Sequence, residues 1–132
     1  MDKELIREVL YLPSYKELYA GIIEHYHTIR TYAKTTDTRL YSCGWLLDIA
    51  RCIYTLRNND IISKTRAGTW ALKQDLCPDK GQMVRTLHIR SNPMHYKDEP
   101  EVKLWLTTLG PCIQRFADVL ENEISKYREE FT

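Results

Sequence analysis

A chain of 132 residues is close to the commonest size for one domain and too short for two ordinary ones. Lys plus Arg (19) nearly balance Asp plus Glu (18), and the formal net charge of +1 argues against a surface that holds long nucleic acid by charge alone. An apolar fraction of 43% with 28% charged residues excludes a disordered chain, and no apolar run approaches the ~20 residues that span a bilayer.

Five Gly and five Pro leave little material for tight turns, so helices are favoured over a β-sandwich or barrel. The expected fold is all-α, a single domain over residues 1–132 built as a bundle of about five to seven helices. The opening Met1-Asp2-Lys3-Glu4 is too acidic and too soon amphipathic for a signal peptide. Cys43, Cys52, Cys77 and Cys112 show no C-x-x-C and no zinc spacing. Each lies among apolar neighbours, so they read as reduced core thiols of a cytoplasmic protein.

In chain order, Asp2 can cap a short helix from Lys3 to Tyr11, stopped by Leu12-Pro13. Ser14-Tyr15-Lys16-Glu17 is a capping box, in which the Ser hydroxyl takes the third helical amide and the Glu reaches back to the cap amide. The helix it opens should run to about Ala33, with Leu18, Ile22, Tyr26 and Ile29 on one face. After a polar connection from Lys34 to Arg39, residues 41–57 are apolar on nearly every side, which predicts a buried helix at the centre of the bundle. Arg57-Asn58-Asn59-Asp60 should end it, and Ser63 should cap a helix from Lys64 to Gln74. A further helix is expected from Pro78 to about Ser91, then a polar loop from Met94 to Glu99. Pro100 should start the next helix, and Gly110-Pro111 should introduce the last, Cys112 to about Arg128.

One feature resists a pure packing account. Asp48, Arg51, Cys52 and Thr55 stand at i, i+3, i+4 and i+7, a polar stripe on an otherwise apolar rod. Burying a lone charge is costly unless it is paired. The stripe is therefore either an Asp48–Arg51 pair, satisfied locally or at a neighbouring helix end, or the wall of a cleft in which Arg51 faces an anion. Ser63-Lys64-Thr65-Arg66 adds cations to a helix start, where the macrodipole disfavours them unless something negative is near.

Other candidates are weaker. Arg90-x-x-x-x-His95 matches the spacing by which HEPN-type helical ribonucleases place an Arg and a His on an RNA phosphate. His25 and His27 flank Tyr26 with no carboxylate or Cys partner at ligand spacing and read as surface or satisfied histidines, so no metal site is expected. The Trp residues read as core. No catalytic motif is present: there is no Ser/His/Asp order, Gly-rich phosphate loop or paired-carboxylate motif.

Residues 45 to 72 carry a resemblance. The run from Trp45 to Leu56 around Arg51, then Ile61-Ile62-Ser63-Lys64, then Ala67-Gly68-Thr69-Trp70-Ala71-Leu72 resembles the C-terminal helical domain of aminoglycoside adenylyltransferases of the streptomycin/spectinomycin type. The intervals from Arg51 to Lys64 and from Lys64 to Trp70 match without gaps. The resemblance implies a substrate-binding domain that closes over the ATP and drug cleft of a polymerase-β-like nucleotidyltransferase domain. It implies phosphate contacts from Arg51 and Lys64, with Trp70 as packing; Asp48, Ser63 and Arg66, from the stripe and the helix start, are the candidate supporting cleft residues.

The motifs of that catalytic domain, Gly-Ser and Asp-x-Asp, are absent from this chain, so ATP with Mg is expected only in the complete enzyme and neither with this chain alone. Asn59-Asp60 replaces the family's Gly-Lys, and its drug-contacting acidic and His positions fall near Tyr41 and Gly44. The implied partners are an N-terminal or separate nucleotidyltransferase domain and a small-molecule hydroxyl acceptor such as an aminoglycoside, with a link to antibiotic resistance. Neither membrane nor nucleic acid is expected. The alternative reading is a HEPN-like module, RNA-cleaving through Arg90 and His95 or partner-binding, working with a separate nucleotidyltransferase chain.

Overall fold

The computed structural model describes residues 14–128. The expected helix from Lys3 to Tyr11, with its Asp2 cap and Leu12-Pro13 stop, lies outside the described residues. Seven helices follow: α1 Tyr15–Tyr32, α2 Tyr41–Asn58, α3 Lys64–Lys73, α4 Lys80–Ser91, α5 Pro93–Tyr96, α6 Pro100–Leu106 and α7 Gly110–Tyr127. No strand occurs among the described residues, and the all-α bundle is as expected.

Local chemistry accounts for most helix ends. The Ser14 hydroxyl accepts the Glu17 amide at 3.2 Å, satisfying one of the donors that a helix start leaves free. The Glu17 carboxylate meets the same hydroxyl at 3.2 Å, instead of the cap amide. Asn59 ends α2 in the left-handed region with φ 49°, which Asn tolerates better than most side chains. The Ser63 hydroxyl accepts the Arg66 amide at 3.3 Å to start α3.

Two boundaries differ from expectation. Helix α4 begins at Lys80 and not at Pro78, because Asp79 holds φ −118° and ψ 77°, outside the helical region. Its carboxylate is taken by Arg115 Nε at 2.9 Å. The polar loop at Met94 to Glu99 contains α5, four residues long, with Pro93 in its first turn, where proline's fixed φ suits the helix and its missing N–H costs nothing.

Helices α1, α2 and α7, each 18 residues long, form the body. Tyr19 of α1 reaches the Ile124 carbonyl of α7, while Arg30 at the other end reaches Gln114 and Asp118; α1 and α7 are therefore antiparallel. Helix α2 lies between them and the α3–α4 pair, and Leu46, Leu47, Ile49, Ala50, Ile53 and Leu56 are all buried. The central buried element is thus where the apolar run places it. Ile113, Phe116, Ala117, Leu120 and Ile124 of α7 face the same core. Glu123 is also buried there, and burial by itself would raise its pKa; the Arg57 and Lys126 partners outweigh that and hold the carboxyl below the usual range. Arg57 Nη2 sits 2.5 Å from Glu123 Oε1 and ties the end of α2 to α7.

A close approach fixes the start of α7. A Cβ on Gly110 would fall 2.0 Å from the Lys34 carbonyl oxygen, so the turn after α1 and the start of α7 fit only around glycine. Gly21, by contrast, faces open space. Gly110→Ala should destabilise the chain by about 1–3 kcal/mol, as expected of a forced backbone shift. Gly21→Ala should stabilise it by about 0.5–1 kcal/mol through helix propensity. Urea unfolding midpoints of the two variants check both signs.

Candidate functional site

A groove of about 510 Å³ runs between α1 and α2. Gly21 and His25 of α1 line one side, and Asp48, Arg51, Cys52 and Thr55 of α2 the other. All four members of the polar stripe therefore meet in one cleft. The reason is geometric: their helical spacing puts them on one face of α2, and α1 leaves that face partly open where Gly21 has no side chain.

Within the stripe, the pairing differs from the Asp48–Arg51 pair weighed above. Asp48 reaches out of its own helix: Oδ1 lies 3.0 Å from Lys64 Nζ at the start of α3, and Oδ2 lies 3.7 Å from His25 Nε2 on α1. One carboxylate, 18% exposed, thus links three helices. Burial pushes its pKa up, but the His25 ring and the Lys64 ammonium pull harder and leave it below the ordinary value. Arg51 makes no hydrogen bond or ion pair among the described residues, although it is half-buried. It is a guanidinium on the wall of a cleft, available to an oxyanion in a bidentate geometry.

His25 is one of the satisfied histidines expected above, and its partner is a carboxylate from α2 and not one at ligand spacing on its own helix. The signal for it lies in helical spacing: His25 is three residues after Ile22 and four before Ile29, both buried, so it shares their inward side. Its ring also lies 6.1 Å from that of Trp45. His27, exposed, packs on Tyr26.

The structure does not bring the remaining candidates into this groove. Ser63 acts as the α3 cap, one residue from Lys64. Arg66 is exposed and lines a different groove, with Tyr54 and Trp70; two residues along a helix are turned by about 200°, so Lys64 and Arg66 face apart. Cys52 lies in the groove floor, but burial pushes its thiol to about 12, which makes it an inert wall and not a nucleophile. The other three cysteines are likewise buried and unpaired.

Arg90 and His95 sit on different helices. His95 pairs with Glu99 at 3.5 Å and meets the Tyr96 ring edge-on at 4.6 Å, while Tyr96 shares a 2.7 Å hydrogen bond with His88. No hydrogen bond or ion pair joins His95 to Arg90 among the described residues. Among those residues there is also no group of three or more His, Cys, Asp or Glu able to hold a metal ion, and no helix long and apolar enough to cross a membrane.

An all-α bundle with a charged groove between two of its long helices is the class of structure that the geometry defines. The family described as the aminoglycoside adenylyltransferase C-terminal domain matches residues 8–86, more than half of the chain, and the chain belongs to that family. The matched span contains the whole groove, with Asp48 and Arg51, as well as Ser63 and Lys64 beside it, and stops before Arg90 and His95. No curated protein and no solved structure matches the chain.

The Asp48 geometry has a consequence for acid stability. A carboxyl held below its unfolded value of 3.8 contributes stability that is fully present above that value and is lost as pH falls through the lower folded one. Asp48→Asn removes this contribution. The gap in urea midpoint between wild type and this variant should therefore shrink as pH falls below 3.8. A gap that goes on widening below that pH would contradict the assignment.

Proposed function

We propose that this chain is the substrate-binding helical domain of an adenylyltransferase-like nucleotidyltransferase, and that it closes over the ATP and acceptor cleft of a catalytic domain. The observation that carries this reading is the pair of cations at one groove: Arg51 without a partner among the described residues, and Lys64 held at the groove edge by Asp48. Family membership adds that the proteins concerned transfer adenylyl groups to aminoglycosides.

In the proposed reaction an acceptor hydroxyl attacks the α-phosphorus of ATP, the new P–O bond forms as the bond to the β-phosphate oxygen breaks, and pyrophosphate leaves. Arg51 and Lys64 supply positive charge where the leaving phosphates gather negative charge. Lys64 can move between two acceptors. Without nucleotide its ammonium is neutralised by Asp48; with nucleotide it can turn to a phosphate oxygen while Asp48 keeps the His25 side of the groove polar. The described residues offer no metal site, so in this reading the Mg ion belongs with the carboxylates of the catalytic domain, and no step in this chain runs through it. The acceptor is a small polyhydroxylated molecule, and an aminoglycoside is the class that the family name supplies. A cytoplasmic setting, where ATP is available, goes with this activity and with four free thiols.

The test is steady-state kinetics with this chain joined to its catalytic domain. Arg51→Ala and Lys64→Ala should each lower kcat/KM for ATP by roughly ten- to a hundred-fold, the worth of one charge-assisted hydrogen bond. The acceptor's own KM should change far less. Unchanged ATP kinetics in both variants would remove the phosphate role.

A further inference from the structure

A second concavity lies on the other side of the turn that joins α2 to α3. It is an open concavity of about 410 Å³, lined by Tyr54 of α2, Ile62 of the turn, and Arg66, Trp70 and Lys73 of α3 among others. The turn divides it from the Arg51 groove: Ile62 lines this concavity and Ile61 the Arg51 groove, as adjacent residues of an extended segment point to opposite sides.

Its surface has two kinds of chemistry. The rings of Tyr54 and Trp70 meet edge-on at 86° with centroids 5.2 Å apart, which makes an aromatic corner over the apolar Ile62. The Tyr54 hydroxyl is tied back to Asp60 at 3.4 Å, so that ring is held in place. Arg66 and Lys73 stand one turn on either side of Trp70, on the same helix face and about 10 Å apart along the axis. Neither side chain makes a hydrogen bond or ion pair among the described residues. Arg66 is the more telling of the two. It lies in the first turn of α3, which holds no acidic residue, where a cation is unfavourable unless a negative group is near. Lys64, in the same turn, has Asp48; Arg66 has no such partner.

We propose that this concavity binds a nucleoside monophosphate, with the base against the Tyr54–Trp70 corner and the phosphate between Arg66 and Lys73. Volume, ring surface and paired cations fit a ligand that is aromatic at one end and anionic at the other. The site is separate from the Arg51–Lys64 groove and stands independently of the role proposed for it.

The experiment is a titration of the chain with AMP, followed by 15N NMR at the Trp70 indole and at the backbone amides of residues 65–73. These resonances should shift and saturate, with adenosine and inorganic phosphate each binding at least ten-fold more weakly than AMP. The double variant Arg66→Ala/Lys73→Ala should weaken AMP binding by ten-fold or more, while Lys97→Ala, an exposed cation on another part of the chain, should leave it unchanged. Phosphate binding as tightly as AMP would reduce the site to a general anion site and overturn the proposal. So would AMP shifts confined to His25, Asp48 and Arg51, or no shift at millimolar AMP.

Discussion

The carboxylate of Asp48 is the constraint on which the groove depends. Helix α2 is packed on nearly every side, and a charge on such a helix must find a partner or a route to water. Asp48 finds both. It is one-fifth or less exposed, and it takes a lysine from α3 and a histidine from α1. Because those partners come from the two flanking helices, this one carboxylate ties α1, α2 and α3 together at the cleft.

Arg51 follows from this arrangement. Three residues from Asp48 on the same helix, it is the obvious local partner, yet Asp48 is already engaged by Lys64. The carboxylate thus serves Lys64 and His25, and the groove wall keeps a guanidinium with no ion pair among the described residues. A near-neutral chain can in this way present a positive point to a ligand without a basic surface. The same logic separates the two concavities around the start of α3. Lys64 and Arg66 are near neighbours in sequence, but helical geometry turns one towards Asp48 and the other towards Trp70.

Much of this was legible in the residues. Most helix ends are marked by Ser14, Asn59, Ser63, Pro100 and Pro111, whose local preferences do not need tertiary context, whereas the four-residue α5 falls in a segment expected to be loop. The buried centre at α2 was visible because apolar side chains all round a helix leave no solvent face. The polar stripe was visible for the same reason, as an exception to that pattern. Where local rules mislead, a distant residue has intervened: Asp79, engaged by Arg115, delays α4 by two residues relative to Pro78.

By itself, then, the sequence determined the helix content, the central element, the family and the four residues on the cleft-facing stripe. These rest on interactions within a few residues, or on the periodicity of one helix. Only the tertiary structure decided which charges pair. Asp48 meets Lys64 and not Arg51, His25 joins them from another helix, and Arg66 belongs to a different groove. Partners separated by sixteen or more residues are chosen by how helices pack side by side, and that choice is a property of the assembled core, which no local spacing carries.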